Sequence, residues 1–422
     1  MRGGTVVDQH GSRRADVVVA GGVVVAVGEG LEAPAGSAQL DASGCVVAPG
    51  LVDIHTHLRE PGREEAETIE TGARAGALGG YTALVAMPNT EPAIDSAAVV
   101  AQVLGIGRRA CVEVAVAGAI TLGREGTRLA PMAEMAALGV RLFTDDGRGV
   151  QDARLMRRAL EYAGGIGVTL AEHCEDEALA AGGHMHEGAW SSRLGIPGQP
   201  AEAEELMVAR DIALCRLTGA RLHLLHLSTA RSIELLRAAR AAGVPVTAEV
   251  APHHFTLTDA AVAGFDAVFK VNPPLRGPAD VAALRSALAD GTLDAIATDH
   301  APHPAEAKDL PFDEAPPGML GLETALPLAL GELDLGIEAV LALLSWQPAR
   351  IAGLRATQGG PVEAGRPANL CVIDPAQRWR VEPGALASRS RNTPYAGREL
   401  VGRVRHTVAA GETVVVDGEA TR

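Results

Sequence analysis

Residues 51–61 carry two imidazoles, His55 and His57, one residue apart within an otherwise largely apolar run. The lead-in, Cys45 to Ala48, is apolar and breaks at Pro49-Gly50. The alternation of a strand places Asp53, His55 and His57 on one face. Imidazoles at i and i+2 of a strand can reach a single metal ion together. Arg59 continues on that side, within reach of an anion beside the metal. Two incidental histidines are the plainer alternative, but polar rings on a buried strand need partners.

The same residue types recur at the ends of later apolar runs: Asp146, His173, His226 and Asp299. Each alone has an ordinary explanation, Asp146 and Asp299 as turn or cap carboxylates and His173 as a strand-end residue. Together with His55 and His57 they make four histidines and two carboxylates, more than one tetrahedral zinc requires. Such a set suits two divalent ions about 3.5–4 Å apart, bridged by a hydroxide. Some binuclear centres take a carboxylated lysine as a second bridge. The only lysines here are Lys270 and Lys308, and neither ends the fourth apolar run. Asp146 does, so a carboxylate bridge is the simplest inference.

Convergence of these residues requires a fold that brings strand ends to one place. From 51 to about 350, apolar runs alternate with Ala/Leu/Arg-rich helical segments, the pattern of a parallel α/β fold. Beyond the first run, seven more end at Met87-Pro88-Asn89, Gly118-Ala119-Ile120, Thr144-Asp145-Asp146, Glu172-His173-Cys174, His226-Leu227-Ser228, Pro252-His253-His254 and Thr298-Asp299-His300. Eight strands with intervening helices predict an α/β (β/α)8 TIM-like barrel, whose strand C-termini share one catalytic face. An open doubly wound sheet is the alternative, but no G-x-G-x-x-G follows the first run. Val268–Val271 reads as an extra piece in a connecting loop. Short Val-rich runs before residue 50 (Ala15–Val19, Val23–Val27) and late in the chain (Asn369–Ile373, Thr413–Val416) predict a small β-sandwich domain formed by both termini. The expected division is 1–50, 51–355 and 356–422, with the barrel in the middle.

The remaining histidines read differently. His184 and His186 repeat the H-x-H spacing among glycines and read as a surface loop. His223 reads as structural, on the opposite face from His226. Either His253 or His254 can line the site, and the sequence does not choose. His10 and His406 read as surface residues of the small domain. The Pro-rich, charged stretch 304–318 reads as a loop over the site, either a lid that closes on substrate or a static connection, and the sequence does not separate the two.

Composition narrows the function classes. Across 422 residues, 47% are hydrophobic, enough for a large core. Aromatics are 3%, too few for a stacking surface, and a net charge of −15 disfavours nonspecific binding to nucleic acid or anionic membranes. No apolar run approaches the ~20 residues of a membrane span, and no signal peptide precedes Met1. Five scattered cysteines without a CxxC pair point to reduced thiols in a cytoplasmic protein.

Asp53-Ile54-His55-Thr56-His57-Leu58-Arg59-Glu60-Pro61 resembles one signature of the dihydroorotases in the amidohydrolase superfamily. Ala297-Thr298-Asp299-His300-Ala301-Pro302-His303, with Lys308 five residues on, resembles the second. Pro88-Asn89-Thr90 and Asn272-Pro273-Pro274-Leu275-Arg276 stand in order between them. The H-x-H portion is shared with allantoinases, hydantoinases and ureases; the combination is more specific and looks like the type I bacterial branch. In that branch an aspartate bridges the metals where hydantoinases carry a carboxylated lysine, and Phe143-Thr144-Asp145-Asp146-Gly147 resembles the aspartate version, with Asp146 as ligand.

The resemblance implies zinc-dependent, reversible hydrolysis of dihydroorotate to N-carbamoyl-L-aspartate in pyrimidine (UMP) synthesis. It implies up to two Zn2+ per chain, one held by His55, His57 and Asp299 and the other by His173 and His226, bridged by hydroxide and Asp146. Asp299 would shuttle the proton, and Arg59, Asn89 and His303, with Asn272 nearby, would hold the substrate carboxylate. The rival functions are a hydantoinase- or allantoinase-like cyclic amidase, or a mainly structural partner of aspartate transcarbamoylase. Every ligand position is filled, which argues against an inactive paralogue. The sequence leaves the oligomeric state open, a homo-oligomer included.

Overall fold

The computed structural model describes residues 1–32 and 36–421. Eight strands form one parallel sheet in strict chain order: Leu51–Thr56, Tyr81–Ala86, Glu113–Gly118, Leu142–Phe143, Thr169–Glu172, Arg221–Leu224, Val246–Val250 and Ala295–Ile296. A bridge between Thr56 and His300 closes the eighth strand onto the first, with His57 N donating to His300 O at 2.9 Å. The predicted (β/α)8 barrel is therefore present, and the strand ends read from the sequence are its C-terminal rim.

Two apolar layers hold the barrel. Val52, Ala83, Ala117, Leu142, Ala171, Leu225 and Ala295 come from seven of the eight strand regions and form an inner cluster, joined by Ala349 and Ile351. A larger cluster packs the outer strand faces, such as Leu84, Phe143 and Leu222, against helix residues such as Leu160, Ile233 and Leu284. Small residues permit this packing: a Cβ at Gly76 would lie 3.1 Å from a Leu84 methyl. Local signals set the helix limits. Asp152 caps the helix Ala153–Ile166 by accepting Leu155 N, and Gly167 ends it at φ 72°.

Both termini build the second part. A seven-stranded sheet runs in the order Glu419–Ala420, Glu412–Val416, Glu399–Ala409, Leu370–Arg380, Val46–Pro49, Thr5–Asp8, Gly11–Arg14. A hairpin of Asp16–Ala20 and Val23–Gly28 packs on it through Val6, Val17, Val24, Val47 and Val372. Strand Val46–Pro49 leads directly into the first barrel strand, so the small domain fixes where that strand begins.

Three expectations need correction or refinement. His406 is not a surface residue: it is 1% exposed, its Nε2 facing Asp41 O at 3.1 Å and its Nδ1 accepting Asp417 N. Strand alternation cannot distinguish a solvent face from a face covered by another segment. The stretch 304–318 contains a helical turn, Ala305–Lys308. In the first strand, a register irregularity between Asp53 and Thr56 breaks the simple alternation. Asp53 turns to Thr298 and to His55 N rather than joining the two imidazoles. Val268–Val271 lies in irregular backbone around the turn Ala267–Phe269, within a connecting segment as expected. No described helix is long and apolar enough to cross a membrane.

Candidate active site

His55 and His57 emerge from the first strand, Asp146 follows the fourth, His173 the fifth, His226 the sixth and Asp299 the eighth. All six are at most 5% exposed. Their donor atoms converge on Asp146. Its Oδ2 lies 3.4 Å from His55 Nε2 and 3.5 Å from His57 Nε2, while its Oδ1 lies 3.5 Å from His173 Nδ1 and 3.6 Å from His226 Nε2. One carboxylate thus faces two pairs of imidazoles, one pair per oxygen. Asp299 Oδ1 closes the first pair, 3.0 Å from His57 Nε2 and 3.6 Å from His55 Nε2. His173 Nδ1 and His226 Nε2 are 2.9 Å apart.

Of the two adjacent carboxylates at the fourth strand, Asp145 does structural work. It accepts Ile120 N at 2.8 Å and Thr121 N at 3.0 Å, which leaves Asp146 free to face the histidines.

The donor set fits a metal centre. His55/His57/Asp299 and His55/Asp146/His226 each offer three ligand atoms within 4.8 Å of one another. His55 Nε2 and Asp146 Oδ1 are buried at the centre with no hydrogen-bond partner, a costly arrangement unless a cation satisfies them. Burial resists ionisation of Asp299 and Asp146, but the surrounding histidines hold both below the ordinary carboxylate range. Both are therefore anionic donors.

The orientation of His55 comes from a residue the sequence reading missed. Glu249, in the seventh strand, has Oε1 2.7 Å from His55 Nδ1 and Oε2 3.0 Å from His223 Nε2. Burial works against its charge, yet the two histidines pull it down to about 2. The carboxylate thereby fixes the His55 ring with Nε2 pointing into the centre. His223 is structural, as expected, and acts through Glu249. A single acid within the apolar run Val246–Val250 was the available signal, since a charge there requires a partner. Glu249→Gln should weaken metal binding about 10–100-fold, the usual effect of losing an outer partner of a ligating histidine. Competition against a chromogenic chelator measures it directly.

Above the centre lies a cavity of about 240 Å³, lined by Arg59, Asn89, Asn272 and His303 along with His57, Asp146, His173, His226 and Asp299. All four residues expected to hold substrate thus share one cavity with five of the six donors. Arg59 is 5% exposed and finds no carboxylate partner among the described residues: its Nε donates to Pro302 O at 3.1 Å and Nη2 lies 3.4 Å from His303 Nε2. Glu60 and Asp53 are engaged elsewhere, Glu60 with Ile69 N. Burial, with Arg63 beside it, pushes Arg59 down to about 10. Asn89 Oδ1 lies 2.9 Å from His57 Nδ1, and Asn272 Nδ2 donates to Glu175 Oε2 at 2.7 Å.

Of the two histidines left open, His253 is nearer the centre, its unpartnered Nε2 4.0 Å from Asp299 Oδ2, while His254 Nε2 faces Pro273 O. His300 faces Glu67 and Gly321 N and serves the scaffold. His184 and His186 lie away from the donors, near Lys270 and Arg276 respectively.

A closed (β/α)8 barrel with histidines and aspartates gathered on its C-terminal rim defines an amidohydrolase-type enzyme. The solved structures that resemble it have this class of fold. L-hydantoinase from Arthrobacter aurescens matches with a TM-score of 0.87 at 24% identity, over 100% of this chain and 96% of that one. D-hydantoinase from Bacillus sp. AR9 matches with a TM-score of 0.86 at 26% identity, over 100% and 96%. Sequence relatives are more specific. The dihydroorotase of Pelotomaculum thermopropionicum is 50% identical over 99% of this chain and 98% of its own length. That of Streptomyces coelicolor is 50% identical over 97% of each. Residues 44–232 match the family described as dihydro-orotase-like. The chain belongs to the dihydroorotase family of cyclic-amide hydrolases.

Proposed function

We propose that the barrel unit, residues 51–355, hydrolyses the ring amide of (S)-dihydroorotate reversibly to N-carbamoyl-L-aspartate, as a zinc-dependent cytoplasmic enzyme of pyrimidine synthesis. The observation that carries this reading is Arg59, a buried guanidinium without a carboxylate partner, on the wall of the cavity that holds the donor cluster. A buried cation facing a cavity calls for an anionic ligand, and dihydroorotate brings a carboxylate.

His55, His57 and Asp299 would hold one zinc and His173 and His226 the other, with Asp146 between them. Bound there, zinc supplies a water made nucleophilic at neutral pH and a Lewis acid for the ring carbonyl. Arg59, Asn89 and His303 orient the substrate through its carboxylate, with Asn272 on the cavity wall. Asp299 accepts the proton released as oxygen adds to the carbonyl carbon. It returns that proton to the ring nitrogen as the carbon–nitrogen bond breaks, leaving a carboxylate and a ureido group. Asn89 steadies the His57 ring from its Nδ1 side. A partnership with aspartate transcarbamoylase rests on resemblance alone and forms no part of the proposal.

Arg59→Met tests the reading. Loss of a charge-assisted hydrogen bond costs about 1.5–3 kcal/mol, roughly 10–150-fold in binding. KM for dihydroorotate should rise by that factor, with a smaller fall in kcat. Dihydrouracil, the same ring without the carboxylate, should be a poor substrate and largely indifferent to the change. Native kinetics in Arg59→Met, or preference of the native protein for the neutral ring, would replace this reading with a hydantoinase-like one.

A further inference from the structure

Only two of the chain's 37 basic residues are lysines, and both ammonium groups lie at one junction beside the cavity. Half-buried Lys308 donates through Nζ to Ala267 O at 3.0 Å, Lys270 O at 3.3 Å and Pro316 O at 2.8 Å. Lys270 answers from the other side, its Nζ donating to Asp313 O at 3.0 Å.

The tied segments are the two rims of the cavity. Val271 and Asn272 line it immediately after Lys270, and Pro316, Pro317 and Gly318 line it opposite. Gly318 N also donates to Lys270 O at 2.8 Å. The approach at Gly318 is close: at φ 135°, a Cβ there would lie 2.9 Å from His303 Nε2. The separation of the rims therefore fixes the cavity opening and the seat of His303, whose Nε2 lies 2.9 Å from Pro317 O.

We propose that Lys308 is a positioning residue that sets the spacing of these rims for substrate, and that its compact ammonium head is required. An ammonium presents three donors from one nitrogen, matching three carbonyls that converge on a point. A guanidinium spreads five donors over a plane and does not fit that arrangement. Burial and the charge of Lys270 push Lys308 down to about 7, while each carbonyl oxygen favours its protonated form. The proposal rests on the reading of this cavity as the substrate site and adds what holds it in shape.

Lys308→Met and Lys308→Arg, in the full metal-loaded chain, test it. Both should raise KM for dihydroorotate at least ~10-fold, the loss of about one charged hydrogen bond's worth of preorganisation, and change kcat less. Cleavage by a glutamyl endopeptidase at the exposed Glu306 and Glu314 should accelerate in both, while metal content stays native. Native KM and native cleavage in Lys308→Met overturn the proposal, as does full recovery of both by Lys308→Arg. If Lys308→Met does not fold, Lys308→Arg decides alone: a raised KM supports the proposal and a native one overturns it. Should the native protein fail to turn over dihydroorotate, the substrate reading falls, and the cleavage comparison still decides whether the lysine holds the rims.

Discussion

Asp299→Asn is expected to lower kcat for dihydroorotate by about 10²–10⁴-fold, the range for loss of a positioned general acid–base group. The amide keeps the size of the side chain but cannot take up the proton. The surrounding structure does not depend on that charge. Asp53, through Thr298 N and Oγ1, fixes the backbone at this turn, and His57 N holds the eighth strand through His300 O. Asp299 is held anionic by the His57 contact and the charge of neighbouring histidines, so the native side chain stands deprotonated, the form in which a base must begin. KM should change little, because Arg59 and His303, the residues proposed to hold the carboxylate, line another part of the cavity. Metal content measured beside the rate separates the two roles of the residue. Metal retained with a collapsed kcat assigns the effect to proton transfer, whereas a parallel loss of both assigns it to ligation.

The clustered histidines and carboxylates were legible because a barrel turns a one-dimensional pattern into a location. Five of the eight apolar runs end in a histidine or aspartate of this set, and the fold brings all the run ends to one rim, so Asp146, His173, His226 and Asp299 group with His55 and His57 from the pattern alone. Glu249 was not legible as a partner of His55. Their separation in sequence is 194 residues, and the contact crosses the barrel interior after closure. Period-two reasoning also misplaced Asp53, because an irregular register in the first strand rotates it away from the histidines. His406 failed for a different reason: the cover over it comes from Asp41 and Asp417, segments that alternation in its own strand cannot reveal. The helical turn at Ala305–Lys308 is too short to show a period, and it is anchored by the lysine contacts rather than by an apolar face.

Asp146→Ala should lose metal and activity together, with a larger effect on metal affinity than the ~10–100-fold typical of an outer partner. The side chain is the one group that faces both imidazole pairs, with Oδ2 toward His55 and His57 and Oδ1 toward His173 and His226. Removing it leaves four buried imidazoles around an uncompensated space, and the second pair keeps Glu175, 3.8 Å from His173 Nε2, in place of the Asp146 carboxylate between them. The fold should survive, because Asp145 carries the hydrogen bonds that shape this turn, to Ile120 N and Thr121 N. A carboxylated lysine cannot stand in: Lys270 and Lys308 are the chain's only lysines, and both head groups are engaged with backbone carbonyls at the cavity rim. Activity of the native protein should therefore be unchanged by removing or adding bicarbonate. Elemental analysis and turnover of Asp146→Ala, with circular dichroism to verify its fold, check the assignment. A variant that kept two metals and native turnover would show that the bridge lies elsewhere.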